Sequence, residues 1–240
     1  MKRKLIFLNG TSSSYKSTIS LYLRNYFHKK FLYNNINDIY TIYDSDYFFF
    51  KIMPIKWQFD QDNSGFICKR DIDNKIISVT ANNDNIALNS WRNYMQTIFN
   101  ILVNTMHNII IVDVICNIDS IINIINIIKD IKLKEIEYEI ILIGLKSSIE
   151  NLNNREKLRE DRSIGIAEHQ KKFVDDINNK LANFIIDIDH KDSKEIGNFI
   201  IQELEKNENF IVMEEFLNKI IKLKDENNSN INIDFGVSDL

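Results

Sequence analysis

Hydrophobic positions in this chain come in blocks rather than in strict alternation. Five short apolar runs, Lys4 to Asn9, Ile39 to Tyr43, Ile109 to Val114, Glu139 to Leu145 and Phe184 to Ile188, predict strands buried on both faces. Longer segments of helical period lie between them. Ser17 to Phe27 places Ile19, Leu21, Leu23 and Phe27 on a broad apolar side, Ile86 to Val103 carries Leu88, Trp91, Met95, Ile98, Phe99 and Leu102, and Ile118 to Ile131 repeats isoleucine at intervals of three and four. Strands alternating with helices predict an α/β fold with a parallel sheet covered on both faces. One proline and six glycines punctuate the chain weakly, and no repeat or Ser/Pro-rich linker divides it. The expected organisation is one domain over residues 1–207 and an extension over 208–240. Asn209 to Leu223 is expected to form an amphipathic helix there, ahead of a loosely held polar tail from Asp225.

Composition narrows the classes of function. With 44% hydrophobic and 27% charged residues in 240, the chain has the make-up of a soluble globular protein, and a net charge of −4 gives no overall attraction for nucleic acid or anionic lipid. No apolar run reaches membrane-spanning length, so neither nucleic acid nor membrane is an expected partner. Cys68 and Cys116 stand alone, without the spacing of a disulfide framework or a zinc site, which fits a reducing cytoplasm. His28, His107, His169 and His190 are scattered without metal spacing.

The chemistry concentrates at the end of the first strand. Leu5-Ile6-Phe7-Leu8 runs into Asn9-Gly10-Thr11-Ser12-Ser13-Ser14-Tyr15-Lys16-Ser17-Thr18 and then into a helix, the strand, loop and helix context of a phosphate-binding loop spanning Gly10 to Thr18. Small residues let successive backbone N–H groups point at phosphates, while the helix that follows presents its positive end. Lys16 is then expected to reach the β and γ phosphates of ATP, and the Ser17 hydroxyl to sit on Mg²⁺. Tyr15 occupies the place of the pattern's second glycine. Its side chain either points outward and is tolerated, or leaves a nucleotide-binding fold with little catalysis.

Several separated segments resemble the chloramphenicol phosphotransferase-like family of P-loop kinases, in the right order. The loop Asn9 to Ser17 is similar to the family's N-G-[GT]-S-S-[AS]-G-K-S, and Asp46, followed by aromatic residues and Met53-Pro54 at one residue's greater distance, is similar to its aspartate-containing segment. Ile109 to Val114 resembles its I-I-I-D-D-V strand, and Arg155 to Ala167 follows R-E-x-x-R-x-D-R-x-x-G-x-A without a gap. The resemblance runs from about Lys4 to about Leu204. The family's histidine-containing segment before the last strand is replaced by Val174-Asp175-Asp176.

The resemblance implies a three-layer P-loop NTPase fold, nucleotide-kinase-like, with a five-stranded and mainly parallel sheet. It also implies transfer of a phosphoryl group from ATP, with Mg²⁺, to a hydroxyl of a small molecule. Asp46, just past the second strand, is then the expected proton acceptor, with Asp44 as the alternative. Asp113 ends an apolar strand, where a carboxylate needs a partner, and a Mg²⁺ shell or the Ser17 hydroxyl would supply one. Arg155, Arg159 and Arg162, at spacings of four and three, are expected on one helical face, closing over phosphate. Tyr47 to Phe50, with Trp57 and Phe59, line an acceptor pocket or pack in the core. Two other readings stay open: a nucleotide-binding but catalytically weak regulatory or interaction module, and a toxin-like kinase of a nucleotide sugar.

Overall fold

A computed structural model of the chain describes residues 2–34, 39–54, 65, 67–73, 75–80, 86–131, 136–159, 164–207 and 209–227. Five parallel strands form the central sheet in the order β2-β5-β1-β6-β7: β1 (Lys2–Asn9), β2 (Tyr40–Asp44), β5 (Asn108–Asp113), β6 (Glu137–Lys146) and β7 (Phe184–Asp187). A separate antiparallel hairpin pairs β3 (Ile67–Arg70) with β4 (Ile76–Thr80). The longer helices among the described residues are α1 (Lys16–Asn34), α2 (Ile86–Asn104), α3 (Ile118–Asp130), α4 (Ile149–Lys157), α5 (Ile166–Leu181), α6 (Ser193–Lys206) and α7 (Met213–Asn227). This is the α/β architecture with an all-parallel five-stranded sheet that the apolar runs predict.

Alternate residues of each central strand feed two separate cores, which is why the runs are continuously apolar. Leu5, Phe7, Ile109, Ile111, Ile140 and Leu142 face one layer with Phe99 of α2, Ile121 and Ile125 of α3, and Phe216 and Ile220 of α7. Ile6, Leu8, Ile110, Val112, Ile141 and Ile143 face the other, with Ile19 and Leu23 of α1 and Ile196 and Ile200 of α6. Leu21 departs from the expected apolar side of α1. It is 45% exposed, because a residue two positions from both Ile19 and Leu23 projects to the far side of a helix.

Helix α3 forms despite its β-branched content. Asn117 caps it, accepting from the Ser120 backbone N–H at 2.8 Å, and Ile121, Ile124, Ile125 and Ile128 are buried as a stripe. The C-terminal segment is tied into the same layer. Val212 bridges Glu139 of β6, Ile140 N–H donates to Ile211 O at 2.9 Å, and Phe216, Leu217 and Ile220 are buried. Among the described residues, no helix is long and apolar enough to cross a membrane.

Candidate active site

The carboxyl ends of β1, β2 and β5 meet at one edge of the sheet and carry the loop, Asp44 and Asp113. β1 and β5 are paired so that Asn9 faces Asp113, and β2 and β5 so that Asp44 faces Val112. Asn9 fixes the exit from β1. Its side-chain oxygen accepts from Ile115 N–H at 2.7 Å, and its amide donates to Ile115 O at 3.2 Å and to Asn178 Oδ1 of α5 at 2.9 Å.

From Gly10 to Ser14 the loop is buried, although every one of its five residues is polar or glycine. Gly10 is required by space: a Cβ there would run into Ser14 Oγ and stand 3.1 Å from Leu145 Cβ. The loop is braced from inside and outside. Ser14 Oγ donates to Thr11 O at 2.8 Å, and Ser12 N–H donates to Gln170 Oε1 of α5 at 2.8 Å. Lys16 is 7% exposed, and its ammonium donates to Gly10 O at 2.8 Å and to Thr11 O at 2.7 Å, so the cation is curled into the loop. The Ser12 and Ser13 hydroxyls are buried without hydrogen-bond partners among the described residues. Ser17 and Thr18 are exposed on the first turn of α1.

Two residues of this loop have left-handed backbone, Ser13 at φ 61° and Tyr15 at φ 62°. For residues other than glycine this conformation costs roughly 1–2 kcal/mol each. The Tyr15 side chain lies on the outside of the loop, 39% exposed, with the Arg155 guanidinium carbon 4.2 Å from its ring centre. The side chain therefore takes the outward orientation.

The carboxylates are arranged differently from the expectation. Ser17 Oγ donates to Asp44 Oδ2 at 2.8 Å, whereas Asp113 accepts from Ser45 Oγ at 2.7 Å and from Val114 N–H at 2.7 Å. The expected Ser17–Asp113 bond is therefore replaced by Ser17–Asp44. Asp44 also accepts from Asp46 N–H at 3.0 Å, capping the helical turn Ser45–Tyr47. Burial raises Asp44 above its ordinary range, with neighbouring Asp46 adding to the rise and the Ser17 hydrogen bond opposing it. Burial also pushes Asp113 up to about 6, against the pull of the Ser45 and Val114 hydrogen bonds and of the Lys16 charge. A desolvated carboxylate gains from a nearby cation. At Cys116, burial and the charge of Asp113 push the thiol up to about 12, so it is no thiolate nucleophile near neutral pH.

The segment after Asp46 passes into a π-helical turn, Phe48–Ile52, closed by Met53 N–H donating to Phe48 O at 2.8 Å. An i→i+5 turn takes up one residue more than an α-turn, so it accommodates the longer spacing from Asp46 to Met53-Pro54. Phe48 and Met53 are buried against Ala87 and Leu88 of α2, with Phe49, Trp91 and Tyr94 packed beside them. Tyr47 is 58% exposed, and the expected pocket positions Trp57 and Phe59 lie outside the described residues.

The expected arginine face on one helix is not continued from Arg155 to Arg159. Helix α4 ends at Lys157, leaving Arg155 on its last turn and Arg159 beyond it, exposed; Arg162 lies outside the described residues. Glu156 bridges the two helices. Its carboxylate is buried and accepts from Gly165 N–H and Ala167 N–H, both at 2.8 Å, so it caps the start of α5 from the last turn of α4. Gly165, at φ 93°, supplies the left-handed turn into α5. Ser45, Gln170 and Asn178 also belong to the site, and nothing in their sequence neighbourhood marks them.

Among curated proteins none matches this sequence. Solved structures do. An unliganded sugar kinase from Janibacter sp. HTCC2649 is 12% identical, over 85% of this chain and 95% of that one, with a TM-score of 0.51, a likeness of fold. The tunicamycin resistance protein of Deinococcus radiodurans is 8% identical, over 84% and 96% of the two chains, with a TM-score of 0.46. A gluconokinase from Sinorhizobium meliloti 1021 is 11% identical, over 94% and 96%, with a TM-score of 0.44. The family model of the chloramphenicol phosphotransferase-like proteins matches residues 3–205, a span that holds the loop, both strand-end carboxylates and the arginine segment, and the chain belongs to that P-loop kinase family.

Proposed function

We propose that this chain is an ATP-dependent phosphotransferase that places the γ-phosphoryl group on a hydroxyl of a small molecule. The observation that carries the reading is the buried loop itself. Lys16 is curled inside it, two serine hydroxyls face no protein partner among the described residues, and Ser17 touches a strand-end carboxylate. Backbone and hydroxyl donors of this kind hold a polyphosphate, and Lys16 exchanges its carbonyl partners for phosphate oxygens.

Mg²⁺ fits the oxygen donors present. Among the described residues no three His, Cys, Asp or Glu side chains gather around one point, and Mg²⁺ in nucleotide sites takes one or two protein oxygens with the phosphates. Ser17 is its expected ligand, with Asp44 and Asp113 behind it. Bound ATP and Mg²⁺ supply the phosphoryl group and neutralise the charge that builds on its oxygens. Asp44 has one oxygen on Ser17 and the other on Asp46 N–H, and Asp46, just past the end of β2, takes the acceptor's proton in this reading. The acceptor oxygen bonds to phosphorus, the bond to ADP breaks, and the proton ends on the carboxylate. Arg155, which lies over the Tyr15 ring, and Arg159 are the side chains that meet the transferring oxygens in this reading. The outward side chain of Tyr15 keeps the phenol out of the loop, which favours catalysis over binding alone.

Mg²⁺-dependent ATP turnover against a panel of hydroxyl compounds, nucleotide sugars included, tests the assignment. Lys16→Ala is expected to lower kcat/KM by at least a hundredfold, and equal turnover in both proteins refutes it.

A further inference from the structure

Tyr15 stands where the phosphate-loop pattern has glycine, in a backbone conformation that favours glycine. Its side chain is engaged all the same. The Arg155 guanidinium carbon lies 4.2 Å from the ring centre, inside the reach of about 6 Å that a cation–π contact requires. Arg155 Nη2 donates to Ile188 O at 3.3 Å, while Nη1 is buried with no hydrogen-bond partner among the described residues. A guanidinium keeps its proton and carries five N–H donors in a planar fork. A ring beneath the guanidinium carbon restrains the group and leaves Nη1 for another partner. A cation with a buried, unmatched donor, lying over the residue next to Lys16, calls for oxygens that arrive with a ligand.

We propose that Tyr15 is a positioning residue whose ring docks the Arg155 guanidinium against the phosphate loop before nucleotide binds. Arg155 then meets the outer phosphate oxygens without a prior closing motion. The inference rests on the kinase reading above, since the anion that Arg155 awaits is the triphosphate. A glycine at position 15 relaxes the backbone but leaves Arg155 without its platform. The ordering of that side chain is then deferred to the moment of binding, where it weakens affinity.

The test is a double-mutant cycle on the full chain, read by calorimetric titration with Mg²⁺ and a non-hydrolysable ATP analogue. Tyr15→Leu, which keeps bulk but removes the π-face, is expected to weaken analogue binding roughly threefold to thirtyfold. Tyr15→Phe restores it to within about threefold of wild type, because the contact uses the ring face and not the hydroxyl. In an Arg155→Met background, Tyr15→Leu is expected to cost nothing further. Should Tyr15→Leu fail to fold, Tyr15→Gly takes its place in the cycle, being at ease in the left-handed region. Independent, additive losses from the two sites overturn the proposal and leave the kinase reading standing, as does a Tyr15→Phe as weak as Tyr15→Leu. A wild-type protein that does not bind the analogue overturns both.

Discussion

Glu156 offers the sharpest test of how this site is assembled. Its carboxylate is 1% exposed and receives two backbone N–H groups at 2.8 Å, from Gly165 and Ala167, at the start of α5. Hydrogen bonds to a charged group contribute about 1.5–3 kcal/mol each, so Glu156→Ala forfeits about 3–6 kcal/mol and leaves two helix-end donors unmatched. Relief from burying a charge returns part of that, and the net loss is expected at about 2–4 kcal/mol. For a chain of this size each kcal/mol lowers Tm by about 2–4 °C, which places the drop at roughly 5–15 °C. Urea denaturation should show the same change as a lower midpoint at unchanged slope. Glu156→Gln keeps one acceptor oxygen and sets an N–H₂ against a donor, so it should fall between. A Glu156→Ala loss below about 1 kcal/mol in both assays would mean that the carboxylate does not cap α5.

Two further outcomes follow from packing. Phe216→Ala empties a fully buried position between α7 and α3 and should cost about 3–5 kcal/mol in urea denaturation, while a loss under about 1 kcal/mol would mean that α7 is not part of the core. Gly144→Ala places a Cβ 2.7–2.9 Å from the Asn178 side chain, which holds Asn9 at 2.9 Å. It should lower kcat/KM for ATP about tenfold or more through the displaced loop, with the Tm as control, and unaltered turnover would detach the Asn9–Asn178 bond from the site.

The fold was legible in the sequence wherever burial on both faces made a strand continuously apolar, as in Ile109 to Val112 or Ile140 to Ile143. The phosphate loop was legible because small residues and a lysine follow such a strand directly. Other features had no comparable signal. The hairpin of β3 and β4 rests on a turn in which Asp71 Oδ1 accepts from Asp73 and Lys75 N–H, and its short strands carry no clear alternation. The choice of Asp44 over Asp113 as partner of Ser17 depends on strand register and on side-chain direction at two strand ends, which spacing along the chain does not encode. The arginine spacing misled because a helical period shows where residues fall only while the helix lasts, and α4 stops at Lys157, before Arg159. Gln170 reaches the loop from a helix more than 150 residues away in sequence, through a tertiary contact with no local mark.

The pairing of Ile211 and Val212 with β6 reaches beyond the packing of α7. The last strand, β7, pairs with only Ile143 to Lys146, so the earlier half of that β6 edge would present bare amides and carbonyls to solvent. Asn183 covers Leu142, receiving its N–H and donating to its carbonyl, and Ile211 with Val212 covers Glu139 and Ile140. The chain thus brings its own seal for a sticky flank. A fragment cut back to Leu204 would open a template for strand addition by a second molecule, and loss of the C-terminal segment would express itself as self-association before any change in the chemistry at the opposite end of the strands.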